Sequence, residues 1–271
     1  MSSTAIPAPP GTEPPGKRAR IIALTSGKGG VGKTFMSANL AAALARRNLR
    51  VLVLDADLGL ANLDVVLNLH PKITLHDVFT GKASLEDAIL PAPGGFSVLL
   101  AGSGLVEYSR LTPQVREQLV DIIERVAPRF DRVLLDTGAG ISDVVLHAIS
   151  LADDVLVIAT PEPTSMTDAY ATIKLLAVQQ GRREIRVVVN QVSVNGEGRT
   201  IRKQLQLVVD RFVCPSLDEG RGAAVPLELL GEIPTDFSVR EAVQKRQLLL
   251  ESMPGAPAAI AVAAIAGRMV A

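Results

Sequence analysis

The most specific chemistry in the chain sits in Gly27-Lys28-Gly29-Gly30-Val31-Gly32-Lys33-Thr34. Gly27 and Gly32 with Lys33-Thr34 satisfy the spacing G-x-x-x-x-G-K-[ST] of a phosphate-cradling loop. Glycines let main-chain N–H groups close on phosphate oxygens, where a Cβ would block them or forbid the backbone angles. Lys33 is placed to reach the β- and γ-phosphates, and the Thr34 hydroxyl is placed to bind Mg²⁺. The motif implies a nucleoside triphosphate site provided that a strand enters it and a helix leaves it.

Carboxylates supply the second half of such chemistry. Asp55 and Asp57 stand two residues apart at the end of the run Arg50–Asp55. There they can face a metal-bound phosphate and its attacking water. Alternatively, Asp57 caps a helix opening near Leu60, since Asp is a favoured cap. Asn62 and Asp64 follow in the same segment. Arg132-Val133-Leu134-Leu135-Asp136 is a hydrophobic run ending in Asp, the pattern expected of a carboxylate that holds Mg²⁺ through water. Val187-Val188-Val189 ends in Asn190, an amide whose donor and acceptor suit the edge of adenine, or an ordinary turn residue. His70, His76 and His147 share no metal-ligand spacing, and His147 is expected to be packed in a helix.

These residues need a scaffold, and the patterning supplies one. Ile21-Ile22-Ala23-Leu24 reads as a strand and Phe35–Leu44 as a helix, the context the phosphate loop requires. Further strands are expected at 50–55, 96–101, 132–136, 155–160, 185–190 and 229–233. Helices are expected at 113–126, 142–151, 166–180, 200–212 and 239–251. Continuous apolar strands alternating with helices predict an α/β domain: a mostly parallel, twisted sheet covered by helices on both faces. Ligands bind such sheets at the carboxyl ends of the strands, where the candidate residues fall. Thr160–Ser165, with Pro161 and Pro163, is expected to be a stiff turn in which Thr164 or Ser165 caps the next helix.

The 271 residues, 48% hydrophobic, suffice for one large domain over 19–271, after a Pro-rich tail at 1–18. Formal net charge is zero, which excludes a global nucleic-acid footprint. The local clusters Arg46/Arg47/Arg50, Arg182/Arg183/Arg186 and Arg199/Arg202/Lys203 read as solvated helix ends. Cys214, the single cysteine, excludes a disulfide framework, and a core position is expected for it. Pro7, Pro9, Pro10, Pro14 and Pro15 interrupt any signal-peptide pattern, and no run reaches the ~20 apolar residues of a spanning helix, so a cytoplasmic location is expected, with polar or peripheral membrane association as the alternative. Residues 258–271 form an Ala-rich helix whose Val262, Ile265 and Met269 could dock. It lacks the basic face of a membrane-surface helix, so membrane attachment is expected to be weak or absent.

The string Lys28–Thr34 resembles the deviant Walker A motif of the MinD/ParA ATPases. The resemblance extends over roughly 20–250. It implies that Lys28 crosses a homodimer interface to reach the partner's ATP, that Asp57 positions the water, and that Asp55 supports the Mg²⁺ shell. It likewise makes Gly140, in Thr137-Gly138-Ala139-Gly140, the switch II glycine, and Pro234-Thr235-Asp236 a second base-binding loop. Phe35 departs from the family, many members of which carry a hydroxyl residue beside the α-phosphate; its backbone can still serve.

Asp55–Asp64 followed by Val65–Leu69, then Asp136–Gly140, is most similar to the FlhG/FleN branch, regulators of flagellar number and placement. That resemblance implies slow ATP hydrolysis, ATP-dependent dimerisation, and partners such as a transcriptional activator, an SRP-type GTPase or switch-complex proteins. The Pro-rich tail lacks the Asp-Gln-Ala helix with which many members stimulate the GTPase, which favours an antiactivator or positioning role. A ParA-like partition ATPase that binds DNA and a MinD-type septum regulator are the alternatives. Iron–sulfur carrier relatives need paired cysteines, and tyrosine-kinase relatives a Tyr-rich tail; Tyr108 and Tyr170 are the only tyrosines.

Overall fold

The computed structural model describes residues 18–59, 61–102, 110–217 and 224–270. Most of the Pro-rich tail, Leu60 and Tyr108 lie outside them. Eight strands form one sheet in the order β3-β4-β2-β5-β1-β6-β7-β8. The strands are β1 (Arg20–Ser26), β2 (Val51–Ala56), β3 (Ile89–Pro91), β4 (Ser97–Leu99), β5 (Arg132–Ala139), β6 (Asp154–Ala159), β7 (Ile185–Val192) and β8 (Leu227–Pro234). All neighbours are parallel except β3 and β4.

The apolar runs are continuous because both faces of the sheet are covered. Ile21 and Ala23 join one core cluster, and Ile22 and Leu24 join the other. The first cluster is packed by α3 (Leu75–Phe79), α4 (Leu85–Ala88), α5 (Pro113–Val126), α6 (Asp143–Ser150), α7 (Pro163–Gln179) and α8 (Glu197–Phe212). The second is packed by α1 (Lys33–Ala45), α2 (Leu63–Leu67), α10 (Phe237–Gln244), α11 (Leu249–Ser252) and α12 (Pro257–Arg268). A short helix, α9 (Cys214–Leu217), follows α8.

From Phe35 to Leu44 every residue of α1 is buried, because the helix lies between the sheet and α12. Small residues allow that approach: a Cβ on Gly231 of β8 would lie 2.5 Å from Ile265 Cγ1 of α12. Val262, Ile265 and Met269 are buried there, so the Ala-rich helix docks on its own domain. Among the described residues no helix is long and apolar enough to cross a membrane.

Several expectations are corrected. The helix expected over 239–251 is two helices, α10 and α11, because Arg246 adopts φ 52° and Gln247 N–H bonds back to the Ala242 carbonyl. That is a helix-ending motif usually marked by glycine. Neither Thr164 nor Ser165 caps α7: Glu162 stands at the cap position, and Ser165 Oγ instead accepts from Thr160 N–H at 3.0 Å. Arg46 and Arg182 are structural clamps rather than solvated ends, donating to the Leu250 carbonyl and to the Asp153, Ile149 and Ala152 carbonyls respectively. Cys214 is half-buried, with Sγ 3.8 Å from Asp210 Oδ1. His147 is half-buried beside the Arg116 carbonyl, and burial chiefly lowers its pKa.

Candidate functional site

The strand-to-helix turn from β1 into α1 builds the phosphate loop. Gly32 sits at the N-cap of α1 with φ 95°, and no side chain caps the helix. The first-turn N–H groups and the positive end of the helix dipole are therefore turned towards whatever occupies the loop. Packing demands two of the glycines. A Cβ on Gly32 would lie 2.5 Å from Asn190 Nδ2, and one on Gly27 would lie 2.2 Å from the Asp168 carbonyl of α7.

A cavity of about 930 Å³ opens over this turn, at the carboxyl ends of β1, β2, β5, β7 and β8. The loop contributes Gly29, Gly30, Gly32, Lys33, Thr34 and Phe35. Opposite stand Asp57, Asn62 and Gly138, and the far wall is Asn190 with Pro234, Thr235 and Asp236. Residues separated by two hundred positions thus meet at one sheet end, as the α/β architecture predicts. Arg240 of α10 also lines the cavity; nothing in the sequence marked it.

Beneath the cavity lies a buried acidic pair. Asp55 and Asp136 are register partners across β2 and β5, exposed by only 1% and 3%. Burial first, and then the neighbouring Asp136, raises the Asp55 pKa well above the usual carboxylate range. Asp136 is also raised by burial, although hydrogen bonds from Ser37 and Thr34 and the Lys33 charge oppose the shift. Ser37 Oγ donates to Asp136 Oδ1 at 2.9 Å. Sequence reading missed Ser37, although it lies one turn beyond Lys33 on the same helix face. Burial lowers the Lys33 pKa, partly offset by Asp136 and Asp57. Asp57 caps no helix, since α2 begins only at Leu63.

This donor set fits a divalent cation held next to phosphates. Asp55 Oδ2 is buried and has no hydrogen-bond partner, a position that a metal-bound water would satisfy. The Thr34 hydroxyl already points at Asp136, so hydroxyl and carboxylates converge where the phosphate-binding glycines end.

Other expected site residues are engaged by the protein itself. Val31 packs into the core, and its carbonyl accepts from Asn190 Nδ2 at 2.8 Å, so that amide donor braces the loop. Gly27 spaces the loop from α7. Asp236 is committed to capping. Burial would raise its pKa, yet N–H donors from Ala258 and Ser238 hold it below the usual range. Gly140 does not line the cavity, because its N–H donates to the Ser26 carbonyl at 2.8 Å; Gly138 is the lining glycine of this segment. Ser26 also uses its hydroxyl, which donates to the Lys28 carbonyl at 2.7 Å.

Lys28 turns out of its own cavity. Its Nζ lies 2.7 Å from Glu162 Oε2 and 3.0 Å from Thr164 Oγ1, at the start of α7.

Residues 22–250 match the family model for the CobQ/CobB/MinD/ParA nucleotide binding domain. The chain is 44% identical to the antiactivator FleN of Pseudomonas aeruginosa over 92% of its own length and 86% of that protein. It is 32% identical to the flagellum site-determining protein YlxH of Helicobacter pylori, with 93% and 82% covered. Among solved structures, the septum site-determining protein MinD of Pyrococcus horikoshii, complexed with Mg-ADP, superimposes with a TM-score of 0.72 at 28% identity, covering 93% of this chain and 96% of that one.

Proposed function

Because the chain belongs to the CobQ/CobB/MinD/ParA family of nucleotide-binding domains, we propose that it is a Mg²⁺-dependent ATP hydrolase that is dimeric while ATP is bound and monomeric afterwards. Through this cycle it regulates flagellar number or placement by way of protein partners. The observation that carries the reading is the half-buried Lys33, set in an uncapped helix N-terminus beside Asp57 and Asp136. Likeness to FleN and YlxH over more than nine-tenths of the chain supports the flagellar role and a transcriptional activator as partner.

Mg·ATP, when bound, supplies a γ-phosphoryl group whose transfer passes through a loose transition state with charge spread over its three equatorial oxygens. The chain's own groups are arranged for that demand. Lys33 and the first-turn N–H groups of α1 hold the phosphate charge. Thr34, Asp55 and Asp136 would hold the cation, which when bound would neutralise phosphate charge. Asp57, at the cavity wall rather than in the floor, orients the attacking water. Asn190, Pro234 and Thr235 form the wall against the base. Lys28 leaves Glu162 and Thr164 to reach the second subunit's phosphates.

Three variants test the cycle. Lys33→Ala is expected to weaken ATP binding by about two orders of magnitude or more, as charge-assisted hydrogen bonds to phosphate are lost; unchanged affinity in a fluorescent-nucleotide titration would overturn the site. Asp57→Ala should lower turnover ~100-fold, within the usual range for losing a positioned acid–base group, while light scattering shows a persistent ATP-bound dimer. Wild-type turnover would reject its role. Lys28→Ala is expected to bind ATP yet stay monomeric. Pull-down with the Asp57→Ala protein and ATP should then recover a flagellar regulator, and recovery of septum or partition proteins instead would redirect the assignment.

A further inference from the structure

On the opposite side of the sheet from β3, β8 is an edge strand whose only strand neighbour among the described residues is β7. α8 and α12 flank it, and between them lies a second cavity of about 620 Å³, separate from the nucleotide site. Its walls carry an unusual charge arrangement. Arg199, Arg202 and Lys203 recur at the spacing of one helical face and project from α8, while Arg268 comes from the end of α12. Among the described residues the three α8 cations form no salt bridge.

Two carboxylates also reach the cavity, but both are engaged. Glu228 pairs with Arg186, and Glu232 accepts the Gly196 and Gly198 N–H groups at the start of α8 at 2.6 and 2.8 Å. The surplus in the groove is positive. Its apolar lining is Leu229, Ala261 and Ala264, with Ile265 buried beneath. Side chains from the flanking helices, not a strand, occupy two main-chain groups of the edge: Gln206 Oε1 accepts from Leu227 N–H at 2.8 Å, and Arg268 donates to the Leu230 carbonyl.

We infer that the groove between α8 and α12 docks an extended segment of a partner protein in which acidic and apolar side chains alternate. Such a segment lays apolar residues on the floor, aims carboxylates at Arg199, Arg202 and Lys203, and lies along β8 held by its side chains rather than by strand pairing, because Leu227 N–H and the Leu230 carbonyl are already engaged. Phosphodiester chains suit the groove less well. They carry a charge at each nucleotide and no apolar row for the floor. The surface is distinct from the nucleotide cavity, so the inference does not depend on ATP chemistry.

Fluorescence anisotropy of the full chain tests it with three probes: a labelled alternating Glu/Val decapeptide, the corresponding Lys/Val decapeptide, and a 20-base-pair DNA duplex. The Glu/Val peptide is expected to bind, and Arg202→Glu combined with Lys203→Glu to weaken it at least about tenfold, equivalent to ~1.4 kcal/mol. Arg202→Gln with Lys203→Gln should give an intermediate loss. Both variants should keep the wild-type melting temperature and ATP affinity. Three results overturn the inference: no binding of the Glu/Val peptide, equal binding of the Lys/Val peptide, or tighter binding of DNA that the same substitutions abolish. The last would make this a nucleic-acid face.

Discussion

Asp55 is buried beside a second carboxylate, Asp136, and its pKa is raised by burial and by that neighbour. A carboxyl group whose folded pKa lies above its unfolded value binds protons more readily in the native state. Stability therefore falls as pH rises from the unfolded value near 3.8 towards the folded one, and the cost is complete above that. Asp55→Asn is expected to melt higher than wild type at pH 7–8 without nucleotide, by about 2–4 °C for each kcal/mol removed. The difference should vanish near pH 4, and Mg·ATP should reverse the order. A melting temperature lower than wild type at pH 8 would show that the buried charge is compensated in the free protein. Lys28 makes the companion case. Held by Glu162 and Thr164 in the single subunit, it must exchange partners to act across an interface. Glu162→Gln is expected to lower the ATP concentration at which dimers form several-fold in light-scattering titrations; a higher requirement would show that Glu162 serves the dimer itself. The phosphate-loop motif was legible in the sequence because its residues are contiguous. The Lys28–Glu162 contact was not, because 134 positions separate the pair.

At the scale of elements, the parallel strands and long helices could be read directly, since continuous apolar runs and 3.6-residue periodicity are local signals. Several short features escaped. The antiparallel β3 is three residues long, too short for any pattern. Helices α3 and α4 have five and four residues, held by the caps Thr74 and Ser84. The break between α10 and α11 rests on Arg246 in a left-handed conformation; Asn68 plays that part after α2 and is the more usual signal. Helix α12 was expected and is found, with a different consequence. Its stripe is part of the core, so Ile265→Ala should destabilise the domain by about 2–5 kcal/mol, the range for buried Ile truncations. Urea unfolding measures this, and a loss below about 0.5 kcal/mol, typical of surface positions, would show that α12 is only loosely attached.

For the molecule as a whole, that burial argues against α12 as a lipid anchor. Val262, Ile265 and Met269 cannot enter a bilayer while packed on α1 and β8. Cosedimentation with anionic vesicles should therefore be no greater with ATP than with ADP, and ATP-dependent pelleting would show that the helix undocks. The side chains that face the cavity from β7 and β8 were only partly legible: Asn190 and Asp236 were expected to meet the base, yet one braces the phosphate loop and the other caps two helices. Such dual use depends on neighbours that a linear sequence does not reveal. Ser26 is tied twice, by its carbonyl to Gly140 N–H and by its hydroxyl to the Lys28 carbonyl. The turn after β5 and the stretch bearing Lys28 therefore share one pivot, and neither can swing without dragging or snapping its tether to the other. On the proposed cycle, release of a spent nucleotide and withdrawal of Lys28 from a second subunit would be coupled at Ser26.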